Sequence, residues 1–110
     1  MNLRTNFTHI EPTESLKSKI EEKAMKLNKF FNGRFDINWT CSTEKDQHIS
    51  HVTVSGAKKT FNATSKKDDL YKTFDDVIGK LEKQIGKTKE MSKDHLHHKH
   101  EIDLQENIED

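Results

Sequence analysis

Phe35-Asp36-Ile37-Asn38-Trp39-Thr40-Cys41-Ser42 alternates strictly, with Phe35, Ile37, Trp39 and Cys41 on one face and Asp36, Asn38, Thr40 and Ser42 on the other. Successive side chains of a strand point to opposite faces, so the stretch predicts a strand over Arg34–Thr43 with one buried face. It decides the fold because the segment before it follows a different period. Leu16, Ile20, Ala24, Leu27 and Phe31 recur at helical spacing behind Glu11-Pro12-Thr13-Glu14, and Asn32-Gly33 ends the run. Thr13 suits the N-cap, Glu14 places negative charge where the helix dipole favours it, and a glycine is a common helix stop.

Leu3, Thr5 and Phe7 alternate with Asn2, Arg4 and Asn6 and predict a short first strand. After the polar turn Glu44–Gln47, His48–Ser55 reads as a strand carrying Val52 and Val54. Gly56 falls in the tight connection to a further strand holding Phe61 and Ala63. Asp68, with Asp69 behind it, is the expected N-cap of a last helix whose apolar stripe is Leu70, Phe74, Val77, Ile78, Leu81 and Ile85. That helix is expected to run to about Met91. The order is β-α-β-β-β-α, an α+β fold in which both helices pack on one face of a four-stranded sheet. Residues 1–91 form the expected domain, and residues 92–110 an acidic, histidine-containing tail.

The formal net charge of zero over 110 residues conceals an asymmetry. Residues 1–91 hold 17 Lys/Arg against 13 Asp/Glu, whereas residues 92–110 hold 2 against 6. A basic body with an acidic appendage fits a polyanion-binding surface, and equally fits a solvated surface with an uneven end. One cysteine, Cys41, excludes an internal disulfide, fits a reducing compartment, and lies on the apolar face of its strand. Residues 1–10 lack the pattern of a signal peptide and no apolar run has membrane-spanning length, so a cytoplasmic location without membrane contact is expected.

An enzyme is not expected. The sequence offers no Ser/His/Asp or Cys/His arrangement, and Gly33, Gly56, Gly79 and Gly86 are too scattered for a phosphate loop. No small-molecule substrate or cofactor is implied. His95, His97, His98 and His100 invite a metal, but selecting an ion needs fixed geometry and a second shell, which a polar tail does not promise. Charge adjustment as pH falls towards roughly 6.5 suits those histidines better.

The lysines of both helices fall in sectors. With Leu70 as zero and about 100° per residue, the apolar stripe of the last helix centres near 30°, while Lys72, Lys80, Lys83 and Lys87 lie at roughly 200° to 280°. Asp76 interrupts that sector, and Asp75 and Glu82 fall on another flank at roughly 120° to 140°. On the first helix Lys19, Lys23 and Lys26 lie at roughly 280° to 340° from Leu16, and Lys29 extends the patch. Two neighbouring lysine-bearing helices predict a groove that tracks a phosphate backbone. Tyr71 could stack on a base, although its place near the helix start suits packing against the sheet.

Asp69-Leu70-Tyr71-Lys72-Thr73-Phe74-Asp75, followed by Lys80-Leu81-Glu82-Lys83-Gln84-Ile85 and Lys87, resembles the second helix of the ribosome hibernation-promoting factor and ribosome-associated inhibitor family. That helix typically reads D-x-Y-x-A-I-D, then K-L-x-[RK]-Q-[LI]-x-K. Ile10-Glu11-Pro12-Thr13-Glu14-Ser15-Leu16 is similar to the family's first helix start, and Lys26-Leu27 and Phe30-Phe31 match later positions. Thr73 and Phe74 in place of Ala and Ile, and Ser15 in place of Ala, depart from the pattern. The resemblance spans residues 1–91. It implies a monomer, with a fold shaped like a double-stranded RNA-binding domain. It further implies binding to the assembled ribosome, in the messenger and transfer RNA channel of the small ribosomal subunit, against 16S rRNA. Occlusion of the decoding region would then hold idle ribosomes inactive.

The basic positions that match are Lys80, Lys83 and Lys87, with Lys23, Lys26 and Lys29 on the first helix. Long members carry a second domain that pairs ribosomes. This chain resembles a short member, and its ending Glu101–Asp110 looks like the acidic extension of the inhibitor type. Such a tail is expected near the messenger path, discouraging ribosome dimers. A generic RNA-binding module or RNA chaperone is the main rival reading, and a domain that meets an acidic protein partner is a second.

Overall fold

A computed structural model describes residues 1–56 and 58–94 of the chain. The histidine tract and the acidic ending lie outside the described residues, and with them the expected position of the tail. Four strands and two α-helices follow in the order β1 (Asn2–Thr8), α1 (Glu14–Ala24), β2 (Phe35–Glu44), β3 (Gln47–Gly56), β4 (Lys59–Lys67) and α2 (Leu70–Asp94). One sheet carries the strands in the order β1-β2-β3-β4, with β1 parallel to β2 and the other pairs antiparallel. The parallel pair needs a crossover, which α1 supplies, whereas the antiparallel strands close through two short turns.

The expected α+β architecture is present. Phe35, Ile37, Trp39 and Cys41 of β2 are all buried, as are Val52 and Val54 of β3 and Ala63 of β4. Register places Trp39 between Thr5 and Val52, and Ile37 between Leu3 and Val54, so the inward faces form one continuous surface. Leu16, Ile20 and Ala24 of α1 and Leu70, Phe74, Val77, Ile78, Leu81 and Ile85 of α2 close over it. Trp39 meets Phe74 edge-to-face at 5.4 Å. Burying a side chain of that size contributes about 1.5–3 kcal/mol, so the Phe74 position anchors α2 to the sheet.

Three local features differ from the sequence expectation. The first helix stops at Ala24 and continues as a 3-10 turn, Met25–Phe30, before Phe31 turns extended. Side chains three apart eclipse in a 3-10 turn, so Ala24, Leu27 and Phe30 line up on the core side. Phe31 leaves the helical stripe and stacks on Phe35 at 4.4 Å between centroids.

The cap of α2 is Asp69 rather than Asp68. The Asp69 carboxylate accepts from the Tyr71 amide at 3.0 Å, while Asp68 pairs with Lys72 at 3.3 Å. The helix extends to Asp94, three residues beyond Met91. Gly56, finally, is the last residue of β3, and the turn lies beyond it. A Cβ there would stand 2.8 Å from the Phe35 Cβ and 2.9 Å from the Phe31 ring, so the glycine is required by close approach.

One polar chain crosses the core. The Trp39 indole donates to the Ser50 hydroxyl at 3.2 Å, and Ser50 lies 2.7 Å from the Thr73 hydroxyl. Thr73 donates to the Leu70 carbonyl, so its oxygen is left to accept and Ser50 is the donor of the middle bond. The Trp39, Ser50 and Thr73 side chains thereby satisfy one another inside the core. Cys41 is fully buried, its thiol pushed up to about 11 by desolvation against a smaller opposing pull from Ser50. A thiol so placed is a packing residue and not a nucleophile at neutral pH.

Candidate nucleic-acid interface

The sheet and the two caps fix which way each helix presents its lysines. Anchored through Phe74, Leu81 and Ile85, α2 turns one flank to α1, one to β4, and its outer surface to solvent. On the α1 flank, Asp75 and Glu82 reach across to the first helix and the turn after it. Lys23 Nζ lies 2.8 Å from Asp75, and Lys29 Nζ lies 3.4 Å from Glu82. The expected groove between two lysine stripes is therefore bridged by ion pairs. The acids stand apart from the lysines of their own helix because they serve those of the other.

The Lys23 side chain is only 17% exposed, whereas that of Lys29 is 65% exposed. Lys23 is thus committed to the seam, while Lys29 remains open to a further partner. Its hydrogen bond to Asp75 raises Lys23 above the ordinary lysine value, and the reciprocal bond holds Asp75 below the ordinary carboxylate value. Lys26 is exposed and holds no ion pair among the described residues. It shares an open groove with Met25, Asn28, Lys29 and Glu82.

On the β4 flank, Lys80 Nζ donates to the Thr64 carbonyl at 2.8 Å, and Gln84 donates to the Asn62 carbonyl at 2.9 Å. These bonds occupy outward carbonyls of an edge strand and lash α2 along it. Lys80 also faces Asp76 at 3.5 Å, and Lys67 of β4 approaches the same carboxylate at 4.0 Å. Two ammonium groups around one carboxylate leave a positive excess. The nearby Ser65 hydroxyl, then Lys80 and Lys67, hold Asp76 below the ordinary carboxylate value.

Lys83 is exposed and Lys87 half-buried, and neither has an ion pair among the described residues. The structure thus brings Lys80, Lys83 and Lys87 into one outer row and leaves Lys23, Lys26 and Lys29 on the far side of the acidic seam. Lys67 belongs with the α2 row and was not singled out from sequence. The Asp76–Lys80 spacing of four is legible there, but the approach of Lys67 depends on tertiary packing. Tyr71 is 42% exposed and meets Phe74 edge-on at 5.5 Å, so it packs on one side and faces solvent on the other.

Among the described residues, no group of three or more His, Cys, Asp or Glu could hold a metal ion. No helix among them is long and apolar enough to cross a membrane.

The profile of the family described as Sigma 54 modulation protein / S30EA ribosomal protein matches residues 3–93, nearly the whole described body. The chain belongs to this family. Among its relatives, the ribosome hibernation promoting factor of Escherichia coli (strain K12) is 28% identical over 95 residues, covering 86% of this chain and all of the relative. The ribosome hibernation promotion factor of Lactococcus lactis subsp. cremoris is 33% identical over 85 residues, which are 74% of this chain and 45% of that longer protein.

Two solved structures share the shape. The ribosomal subunit interface protein from Coxiella burnetii superposes with a TM-score of 0.71 at 25% identity, covering 81% of this chain and 98% of that one. The Thermus thermophilus Protein Y N-terminal domain superposes with a TM-score of 0.74, covering 77% of this chain and 96% of that one. At 20% identity it speaks for the fold alone.

Proposed function

We propose that the protein is a ribosome hibernation factor that binds the small ribosomal subunit and inhibits translation by occlusion. The carrying observation is the outer row of α2, where Lys83 and Lys87 have no ion pair among the described residues beside Lys80. A rigid helix displaying ammonium groups at successive turns matches the repeated phosphates of folded RNA, and each neutralised phosphate releases counterions. The names of its relatives favour the ribosome over RNA in general as the partner.

In this reading the body enters the messenger and transfer RNA channel near the decoding region, α2 faces 16S rRNA, and the bulk of the sheet blocks initiation. No bond is made or broken, and no cofactor takes part. The protein acts as a monomer in the cytoplasm, on idle ribosomes in stationary phase or stress. The ribosome-binding unit ends with α2, and the tail begins after it. Lys26 and Lys29 add a second, weaker contact from the far side of the seam.

The test is co-sedimentation with purified small and large subunits at moderate salt, beside gel shifts on free RNA duplexes. Preferential recovery with the small subunit supports the reading. Equal affinity for free duplex RNA would turn it into a generic RNA-binding module.

A further inference from the structure

We infer that the acidic segment Glu101–Asp110 of this chain docks on the outer lysine row of α2 and competes there with polyanions. Lys23 is committed to Asp75, and Lys29 shares its charge with Glu82, so each offers less to a further acid than an unpaired lysine. Lys83 and Lys87 hold no carboxylate among the described residues, and Lys80 shares Asp76 with Lys67. Of the lysines without an ion pair among the described residues, Lys83 and Lys87 stand on α2, the element that precedes the tail in the chain.

The tail carries the complementary charge. Residues 95–110 hold one lysine against five acids, Glu101, Asp103, Glu106, Glu109 and Asp110. From Asp94 back to Lys80 the helix measures roughly 21 Å at 1.5 Å per residue. Glu101 stands seven residues past Asp94 in the sequence, a reach of roughly 23 Å when extended, and the later acids have slack. Every acid but the first can thus meet any lysine of the row without strain.

Single exposed ion pairs are weak and salt screens them. Tethering compensates, because it presents the acids at an effective concentration in the millimolar range. The result is a shield that a strong polyanion displaces and a weak one does not. On the ribosome the tail gives way; against scattered RNA it raises the threshold for binding. The docking rests on charge and reach, whereas the competition rests on the RNA reading of the row.

A nitroxide placed on the full chain through Asp103→Cys tests the docking without any ribosome. Cys41 is buried and leaves the label to the new thiol. At low salt the amide signals of Lys80–Lys87 should broaden while those around Lys26 do not, and the broadening should vanish at about 0.5 M salt. Equal broadening at both places, or none at Lys80–Lys87, would overturn the docking.

The second arm neutralises the tail in the full chain with Glu101→Gln, Asp103→Asn, Glu106→Gln, Glu109→Gln and Asp110→Asn. Binding to poly(U) at low salt should tighten by about three- to tenfold, with the gain lost at high salt. Unchanged affinity would overturn the competition. Failure of both chains to bind poly(U) would sink the RNA reading of the row while leaving the label result to decide the docking.

Discussion

Lys23 Nζ and Asp75 Oδ1 lie 2.8 Å apart and tie α1 to α2 across the face that both helices turn to solvent. The pair makes the seam between the helices a structural feature, and it leaves the outer surface of α2 as the open basic surface. Its contribution has a defined pH signature. Asp75 titrates below its ordinary value in the folded chain, so its stabilisation is present above the unfolded carboxylate value near 3.8 and is lost as pH falls through the folded value. Lys23 titrates above its ordinary 10.5, so its share is present below that value and is lost as pH rises through the folded one. Asp75→Asn should therefore lower thermal stability at pH 7 and flatten its acid limb. An unchanged acid limb would show that the pair does not couple to folding.

The polar chain through the core makes Ser50 more consequential than its size suggests. Ser50→Ala leaves the Trp39 indole N–H without its acceptor and removes the donor to Thr73. An orphaned buried donor costs about 1–3 kcal/mol, so urea unfolding should show a loss in that range with the m-value preserved. A neutral result would mean that another acceptor, or water, takes up the indole.

Gly56→Ala meets the Phe35 and Phe31 side chains below 3.0 Å. Overpacking of this kind costs about 1–3 kcal/mol, through displacement of the Phe31–Phe35 stack. Gly33→Ala, with nothing within 4 Å of the added Cβ, serves as the control and should change stability little.

Cys41 should resist a thiol reagent at pH 8 in the native chain and react fully in denaturant. Burial alone keeps the thiol protonated and out of reach, with its titration moved to about 11. Rapid native labelling would contradict the packing of β2 against α2.

Much of the fold was legible because the apolar residues obey two clean periods. Phe35, Ile37, Trp39 and Cys41 announce a half-buried strand, and Leu70 to Ile85 a helix stripe, and all of them are buried. What the sequence could not show depends on contacts between distant segments. The 3-10 turn after Ala24 is selected by packing of Leu27 and Phe30, which an α-helical phase cannot anticipate. Asp68 and Asp69 are chemically alike as caps, and the exit from β4 decides between them.

The same limit applies to the candidate interface. Helical phase separates Asp75 and Glu82 from the lysines of α2, yet only the packing of α1 against that flank reveals that Lys23 and Lys29 meet them. Ser50 and Thr73, polar residues outside the apolar stripes, are fully buried because they satisfy each other.

In the proposed function, Lys83 and Lys87 on the outer row of α2 hold the protein on the small ribosomal subunit. That role is tested most directly by co-sedimentation of Lys83→Glu/Lys87→Glu with small subunits across a salt series, beside the intact chain and Lys26→Glu. The double reversal should keep the fold, weaken binding by about 100-fold at moderate salt, and lower the log–log salt slope by roughly two, while Lys26→Glu has a smaller effect. Undiminished recovery of the double variant with small subunits, at an unchanged salt slope, would contradict the claim.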